Sequence, residues 1–216
     1  MAREKLVIFG AGGLGLEITT FIRDINLKKE RFDILGFVDD TPELQNKTLA
    51  SFPVLGDSSW LLNYNDEISV VIAIGSSLGR KKVYEKISHK QNISFPNIFV
   101  DDEKFYHPEV LDRVKGCVIG YHNLISRHAI FGDFIFIDSF CCIGHSAKLG
   151  DFTSLYVGAH VSGDVSVGNC AQIYSGARIM EKKSIGENSK IGMGSIVVQN
   201  VAANTTVFGN PAKVIC

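Results

Sequence analysis

The second half of the chain repeats a large apolar residue every six positions. From Ile119 to Val197 every sixth residue is Ile, Leu, Val or Phe. These fourteen residues are Ile119, Ile125, Phe131, Ile137, Ile143, Leu149, Leu155, Val161, Val167, Ile173, Ile179, Ile185, Ile191 and Val197. A six-residue period fits neither an α-helix nor a simple strand. It predicts a parallel β-helix with three short faces, eighteen residues to a coil and four to five coils over residues 119–202.

Two further tracks support this prediction. Mostly small residues, such as Ala129, Ala147 and Ala159, lie four places after the large apolar ones, and glycine often follows the large residue directly. One large and one small residue pointing inward from each face would fill a narrow interior, and the glycines would allow tight corners. A β-sandwich is the alternative, but its strands alternate with a period of two.

The N-terminal third alternates short apolar runs with turns and helical segments. Residues 5–9, 34–38 and 69–74 are predicted strands, and residues 16–25 and 80–88 have helical spacing. A β-loop-α-β order with parallel strands is typical of an α/β, Rossmann-like nucleotide-binding domain.

These patterns divide the chain into three parts. We predict a Rossmann-like domain over residues 1–96 and a linker over residues 97–118, which contains Pro108. An all-β parallel β-helix domain is predicted over residues 119–216.

A glycine-rich loop separates the first predicted strand from the first helix. Gly10, Gly12 and Gly15 form a G-x-G-x-x-G pattern, which lets the backbone approach a phosphate at a helix N-terminus. Asp39 ends the next strand, where a ribose or base would be bound. The alternative is that the glycines only allow close packing of helix and strand. A complete NAD site uses two mononucleotide halves, so this short domain favours a mononucleotide such as a nucleotide-sugar.

Composition excludes several classes of protein. The chain has 216 residues, of which 45% are hydrophobic, and a formal net charge of -1. An ordinary apolar fraction argues against disorder. Because phosphate binding needs a basic excess, the charge argues against a protein that coats nucleic acid.

The sequence also predicts where the protein resides. No apolar run approaches the roughly 20 residues that span a bilayer, and no cleavage site follows the uncharged stretch of residues 6–16. The five cysteines show no CxxC spacing, which fits reduced thiols. We therefore predict a cytoplasmic protein without membrane insertion.

One of the six histidines is a candidate general base. His145 follows Ile143 and Gly144, just past an inward-pointing residue, so its side chain leaves a corner of the coil. Gly163 occupies the same slot one coil later and would leave open space and an accessible N–H beside the imidazole. A base with an oxyanion donor nearby suits acyl transfer. A solvated corner histidine is the equally weighted alternative.

A zinc site is a weaker alternative. Some β-helices of this period carry zinc on three histidines that converge between subunits. His122 and His128 would have to join His145, but they lie six residues apart and so face different directions. We therefore expect no metal.

The chain resembles a known family over nearly its whole length. It is similar to the sugar O-/N-acyltransferases of the sialic-acid O-acetyltransferase type (NeuD/PglD-like), and within them most similar to the UDP-4-amino-sugar N-acetyltransferases. The resemblance rests on Ile8-Phe9-Gly10-Ala11-Gly12-Gly13, Gly36-Phe37-Val38-Asp39-Asp40, Ala73-Ile74-Gly75 with Arg80-Lys81-Lys82, Ile143-Gly144-His145, Leu149-Gly150-Asp151-Phe152, Ser162-Gly163-Asp164-Val165 and Gly209-Asn210-Pro211-Ala212-Lys213.

The resemblance implies a left-handed β-helix, a homotrimer and acetyl transfer from acetyl-CoA to the amino group of a UDP-linked 4-amino-sugar in bacterial glycan synthesis. His145 would be the general base, and the amide of Gly163 would bind the thioester oxygen. The transfer would be direct, without an acyl-enzyme. The implied nucleotide-sugar site comprises Gly10, Gly12, Gly13, Asp39, Asp40, Gly75 and Arg80. The implied acetyl-CoA site comprises Gly163, Gly209, Pro211 and Lys213.

Three positions depart from the family pattern. Ser146 stands where a carboxylate often follows the catalytic histidine, Ser154 where a second histidine is common, and Leu14 where the glycine loop often has histidine. Without the first carboxylate, His145 needs another partner, and Asp138 on the preceding face is a candidate. A solvated corner aspartate is at least as plausible for Asp138.

Other functions stay open. O-acetylation of sialic acid or another sugar hydroxyl is the alternative within the family. Serine acetyltransferases carry a helical N-terminal domain, which disfavours an amino-acid acceptor. From a different class, a nucleotide-sugar-binding scaffold with a decayed catalytic site would explain Ser146 and Ser154.

Overall fold

The structure, a computed structural model, describes residues 3–100 and 113–215. The chain divides into two compact units, the first of which ends at Val100. This boundary falls within the predicted linker, residues 97–118, of which residues 101–112 lie outside the described residues.

The first unit is an α/β domain around one sheet. The sheet consists of Glu4–Phe9 (β1), Phe32–Val38 (β2), Thr48–Leu49 (β3), Phe52–Gly56 (β4), Ile68–Ile72 (β5) and Ile93–Ser94 (β6), and the short strand Ile98–Phe99 (β7) is not part of it. The helices of this unit are Gly13–Lys28 (α1), Ser58–Asn63 (α2) and Ser77–Ile87 (α3), with a short 3₁₀ turn at Pro42–Leu44. The sheet has the order β3-β4-β2-β1-β5-β6 and is parallel except for the β3–β4 pair.

Strand β1 lies at the centre of this sheet and sets the position of the loops. It is buried from Leu6 to Phe9 and pairs in parallel with β2 on one side and β5 on the other. Helix α1 packs its apolar stripe, which includes Ile18, Phe21 and Ile22, into the core. Since parallel strands end at the same edge, the loops after β1, β2 and β5 meet where the strand order reverses, the usual position of a ligand site in such sheets.

The second unit is a parallel β-helix with three faces. The first face contains Val118–Ile119 (β8), Phe136–Ile137 (β11), Ser154–Leu155 (β14), Gln172–Ile173 (β17), Lys190–Ile191 (β20) and Thr206–Gly209 (β22), and ends with the antiparallel strand Ala212–Val214 (β23). The second contains Leu124–Ile125 (β9), Cys142–Ile143 (β12), His160–Val161 (β15), Arg178–Ile179 (β18) and Ile196–Val197 (β21). The third contains Ile130–Phe131 (β10), Lys148–Leu149 (β13), Ser166–Val167 (β16) and Ser184–Ile185 (β19).

The eighteen-residue coil predicted from the sequence is confirmed by the pairing of the strands. Phe136 pairs with Ser154 and Cys142 with His160, eighteen residues apart in each case. All fourteen large residues of the step-six series are buried, the most accessible being Ile125 at 8%. The predicted fold class, an α/β Rossmann-like domain followed by an all-β left-handed β-helix, is therefore confirmed.

One position in each corner of the coil has a positive φ, which the sequence does not reveal. Every sixth residue from Gly116 to Gly194 has a positive φ, between 56° and 70°. Only four of these fourteen positions are glycine: Gly116, Gly158, Gly176 and Gly194. The regular coil therefore imposes the left-handed conformation even on residue types that rarely adopt it, such as Phe134, Cys170 and Lys182.

The glycines that follow the large apolar residues have a different role. A Cβ on Gly144 would lie 2.4 Å from the backbone nitrogen of Gly163, one coil further along. These glycines therefore allow close approach of successive coils, while the positive φ angles fall elsewhere in the corner.

Candidate active site

His145 is exposed at the corner between the second and third faces, which we call the His145 corner. It lies between β12, ending at Ile143, and β13, beginning at Lys148. Its carbonyl oxygen accepts a hydrogen bond from the N–H of Asp164, at 2.9 Å. The main chain that carries the imidazole is thus held to the next coil.

The imidazole of His145 lies against Gly163. A Cβ on Gly163 would be 2.6 Å from Nε2, 2.8 Å from Cε1 and 3.0 Å from Cδ2 of that ring. The sequence predicted that a glycine at this position would keep the space beside the imidazole open. The structure instead shows that the ring itself occupies the space a side chain would take, so Gly163 accommodates the ring.

The N–H of Gly163 donates no hydrogen bond to a protein acceptor among the described residues. At the corner between the third and first faces, by contrast, the N–H of Asp133 donates to Asp151 Oδ1 and that of Asp151 to Asn169 Oδ1, each at 2.9 Å. In that pattern the acceptor of the Gly163 N–H would be the side chain of Glu181, one coil later, and no such bond is present among the described residues. The His145 corner therefore offers an imidazole and an adjacent unused N–H donor, the two groups that acyl transfer requires.

Asp138 lies at the corner between the first and second faces, and His145 lies at the next corner along the chain. Its carboxylate accepts the N–H groups of Ser139, at 2.7 Å to Oδ1, and of Val157. Burial raises the pKa of Asp138, against the opposing effect of these two hydrogen bonds. No hydrogen bond or ion pair among the described residues joins Asp138 to His145, so one chain does not bring the two together.

The nearby thiols are unsuited to attack a thioester. Burial raises the pKa of Cys141 to about 12 and also raises that of Cys142. Because the thiolate is the nucleophile, a raised pKa lowers the reactivity of both side chains. Cys117 and Cys170 are buried and form no disulfide among the described residues, and Cys216 lies outside the described residues.

The glycine loop of the first unit follows β1 and lies at the edge of the sheet where β1, β2 and β5 end. Gly10 has a φ of 111°, and a Cβ there would lie 2.7 Å from the carbonyl oxygen of Ala73. Gly12 precedes the first turn of α1, where no side chain caps the helix. A Cβ on Gly12 or Gly13 would meet no atom within 4 Å. The loop therefore combines open space with the N-terminus of a long helix, an arrangement suited to a phosphate.

The two carboxylates at the end of β2 are both engaged by the protein. Asp39 accepts the N–H of Ala11 on Oδ2, at 2.7 Å, and the N–H of Thr41 on Oδ1, at 2.9 Å. It thereby ties the glycine loop to the end of β2. Because both carboxylate oxygens accept backbone N–H groups, Asp39 positions the loop.

Asp40 links three elements at the same edge. Its Oδ1 accepts the N–H of Ser58, at 2.8 Å, and its Oδ2 lies 2.9 Å from Lys86 Nζ. Burial acts to raise the pKa of Asp40, but the hydrogen bonds from Lys86 and Ser58 outweigh it and the pKa is lowered. Lys86, absent from the sequence prediction, is the cation that accompanies this carboxylate.

Arg80 lies behind the loop that follows β5. It is 2% exposed, and its Nη1 donates to the carbonyl oxygens of Ile74, at 2.8 Å, and Gly75, at 3.2 Å. A buried guanidinium held by two carbonyls fixes the loop from within. The structure therefore places Gly75 at the candidate nucleotide-binding edge and Arg80 as its support, rather than as an exposed ligand.

The residues implied in acetyl-CoA binding lie at two places in the second unit. Gly163 is at the His145 corner. Gly209 ends β22, Pro211 lies in the turn, and Lys213 pairs with Phe208 across the β22–β23 hairpin. Pro211 and Lys213 are exposed, and Gly209 is half-buried.

The remaining histidines form no metal site in the described parts of the chain. His122 and His128 both occupy corner positions with positive φ, on successive corners. Within residues 3–100 and 113–215 no group of three or more His, Cys, Asp and Glu side chains could hold a metal ion.

The helices carry no membrane signal either. Among the residues with described structure, none of the helices has the length and apolar character needed to cross a bilayer.

Sequence reasoning missed Arg127, which lies in the slot of His145 one coil earlier. Ser146 N–H donates to the carbonyl oxygen of Arg127, at 3.2 Å, so the two corners stack directly. A step of eighteen residues back from His145 would have found it.

Comparison with known proteins agrees with this fold. Residues 5–87 match the PglD N-terminal domain family. A search of the curated proteins found no match.

Solved structures match over the whole chain. The acetyltransferase domain of PglB from Neisseria gonorrhoeae is 22% identical with a TM-score of 0.82, covering 99% of this chain and 100% of that one. WeeI from Acinetobacter baumannii is 24% identical with a TM-score of 0.75, and the coverages are again 99% and 100%. PerB from Caulobacter crescentus, solved with CoA and GDP-perosamine, is 21% identical with a TM-score of 0.74, covering 100% and 99%. The resemblance to NeuD/PglD-like proteins drawn from the sequence is thus confirmed for the N-terminal domain, and the fold of the whole chain agrees with it.

Proposed function

We propose that the protein is an acetyl-CoA-dependent N-acetyltransferase, because residues 5–87 match the PglD N-terminal domain family and the whole chain is similar in fold to solved acetyltransferases. The acceptor is the amino group of a nucleotide-linked 4-amino-sugar, with UDP as the first nucleotide to test. PerB, solved with CoA and GDP-perosamine, supports an amino-sugar acceptor and makes GDP the second nucleotide to test.

The observation that carries the proposal is the contact between His145 and Gly163. The imidazole lies directly against a residue whose N–H has no acceptor among the described residues. In the proposed reaction His145 takes a proton from the acceptor amine. The Gly163 N–H donates to the carbonyl oxygen of the thioester as negative charge develops on it.

The proposed transfer is direct. The amine nitrogen attacks the thioester carbon, a C–N bond forms, the C–S bond breaks and the thiol of CoA leaves with a proton. The raised pKa values of Cys141 and Cys142 support this route, because they reduce the thiolate that would be needed to form an acyl-enzyme.

The edge at the ends of β1, β2 and β5 is the proposed nucleotide site. Gly12 and Gly13 leave open space at the start of α1, and Gly10 and Gly75 shape the loops beside it. Asp39, Asp40 and Arg80 hold those loops through the hydrogen bonds described above. They act mainly as positioning residues in this proposal.

The proposal also covers the cosubstrate acetyl-CoA, the oligomeric state and the cellular location. Acetyl-CoA reaches Gly163 from the side of Gly209, Pro211 and Lys213. The protein acts as a homotrimer, as the sequence resemblance implies, in the cytoplasm, where thiols stay reduced.

O-acetylation of a sugar hydroxyl, including that of sialic acid, is the second candidate. The same base and donor would serve a hydroxyl nucleophile, so the acceptor must be decided by experiment. A non-catalytic nucleotide-sugar-binding scaffold is the third candidate, supported by the absence of an acidic partner for His145 within the described residues.

Release of the CoA thiol tests these candidates. Acetyl-CoA is offered to the protein with a UDP- or GDP-linked 4-amino-sugar, a sialic acid or serine. Turnover with a nucleotide-linked amino-sugar alone is expected, and His145→Ala should lower kcat by about 10²–10⁴, the usual contribution of a general base. Affinity for acetyl-CoA should be unchanged.

His122→Ala is the matched control, since it removes an exposed histidine from a different corner. Turnover with sialic acid instead would favour the O-acetyltransferase. No turnover with any acceptor, from a folded protein that binds nucleotide-sugar, would favour the scaffold. A His145→Ala rate equal to that of the wild type would remove His145 from its role.

A further inference from the structure

Four residues occupy successive levels of the His145 corner. The N–H of Ser146 donates to the carbonyl oxygen of Arg127, that of Asp164 to His145, and that of Lys182 to Gly163, at 3.2, 2.9 and 3.0 Å. These equivalent bonds fix Arg127, His145 and Gly163 one above another, and Glu181 follows one coil later. Each level is one strand spacing, about 4.8 Å, from the next.

Arg127 is an uncommitted cation beside the candidate base. It is exposed, and its guanidinium has no ion pair or hydrogen bond among the described residues. Arg23, Arg31 and Arg80 of the first unit, by contrast, are all engaged with carboxylates or carbonyls. A planar guanidinium with free N–H groups is well suited to bind a phosphate.

Charge along this corner has a direction. Arg127 lies one level before His145, and Glu181 lies two levels beyond it. Arg127 and Glu181 are therefore about 14 Å apart, farther than the screening length of about 8 Å at physiological ionic strength. Glu181 is followed directly by Lys182 and Lys183, whereas Asp164 lies beside Gly163, one level beyond His145. Because Asp164 repels an anion on that side, an anionic group on a substrate at His145 is favoured on the side of Arg127.

We propose that Arg127 binds the sugar-linked phosphate of the acceptor and so fixes which end of the sugar meets His145. This inference rests on the proposed function, in which the acceptor is a nucleotide-linked 4-amino-sugar. In such a sugar the phosphate on C1 and the amino group on C4 lie across one hexose ring. A phosphate held at the level of Arg127 points the amino group along the corner toward His145.

In this arrangement the thioester binds on the opposite side of His145. The N–H of Gly163 lies one level beyond His145, away from Arg127. The acceptor therefore approaches from the side of the N-terminal coils and acetyl-CoA from the side of the C-terminal coils. Arg127 acts as a residue for binding and orientation, whereas the proton is taken by His145.

Steady-state kinetics with the nucleotide-linked amino-sugar test this inference. Arg127→Gln should raise the KM for that acceptor about ten- to hundredfold, the contribution of one charge-assisted hydrogen bond. The kcat value and the KM for acetyl-CoA should change little, and Arg127→Lys should recover part of the loss. Lys190→Gln is the control, because it removes an exposed cation from the first face, opposite the His145 corner.

The same amino-sugar without nucleotide and phosphate distinguishes phosphate binding from general damage. Its kcat/KM should be equal for wild type and Arg127→Gln. An unchanged KM for the nucleotide-linked acceptor in Arg127→Gln, or an equal loss with the phosphate-free sugar, would overturn the inference.

Calorimetric titration with UDP and GDP separates this inference from the proposed function. Arg127→Gln should weaken binding of the nucleoside diphosphate by the same ten- to hundredfold factor, with Lys190→Gln unchanged. Weakened binding together with an inactive wild type would reject the transferase and keep the phosphate subsite. An active wild type with unchanged diphosphate affinity in Arg127→Gln would reject the subsite and keep the transferase.

Discussion

Nε2 of His145 lies 2.6 Å from the position that a Cβ on Gly163 would take. The two residues are eighteen apart in sequence, yet the ring of one occupies the side-chain space of the other. Gly163 therefore has two functions in the proposed site: it admits the imidazole, and its N–H stays free to donate.

This contact predicts a strong dependence of rate on a single methyl group. Gly163→Ala should displace the exposed imidazole at small cost in stability but lower kcat by about 10², as misplacement of a catalytic group by an ångström does. In the double variant with His145→Ala, the alanine at 163 should cause no further loss, since both changes act through the same ring. Thiol release from acetyl-CoA measures all three variants. A double variant slower by the product of the two single effects would contradict the interpretation.

Arg80 should contribute to stability as well as to nucleotide binding. Arg80→Met leaves the carbonyls of Ile74 and Gly75 without this buried donor and should lower the free energy of unfolding by about 1–3 kcal/mol. Lys81→Met is the neighbouring control, because the Lys81–Glu85 pair is exposed and should contribute less than about 0.5 kcal/mol. Urea unfolding compares the two. Equal midpoints would show that the buried guanidinium does not support the loop.

Because Asp138 is partly buried, we predict that the free energy of unfolding decreases as the pH rises. Its pKa is raised in the folded protein, so the folded state binds this proton more tightly than the unfolded chain, whose ordinary value is 3.8. Stability contributed by the protonated form is therefore lost as pH rises from 3.8 through the raised folded value. Relative to wild type, Asp138→Asn should become progressively more stable across that window. Unfolding curves at pH 4 and pH 7 measure the difference, and a difference independent of pH would refute the burial effect.

The positive φ at every sixth residue of the coil predicts which glycine substitutions are tolerated. Gly176 has a φ of 69°, and a Cβ there would meet no atom within 4 Å, so any loss comes from the backbone. Gly176→Val should lower the free energy of unfolding by about 1–3 kcal/mol. Gly176→Asn should cost much less, because asparagine adopts this conformation readily. Thermal denaturation of both variants provides the measurement, and similar losses for valine and asparagine would argue against strain as the cause.

Much of the fold follows from local pattern. The step-six series from Ile119 to Val197 requires a coil that returns one residue in six to the interior, and the structure buries every member. The positive-φ series was hidden, because ten of its fourteen members are not glycine. A repeating backbone imposes that conformation at a fixed place in the coil, whatever side chain is present.

The sequence by itself determined the two-domain architecture, the eighteen-residue coil and the pairing of His145 with Gly163 in one slot, because these depend on spacing. Only the tertiary structure decided which groups are already engaged. It assigned the oxygens of Asp39 to Ala11 and Thr41, buried Arg80 against Ile74 and Gly75, and left Arg127 without a partner among the described residues. Such partners are set by contacts between distant segments, which residue type and spacing do not specify.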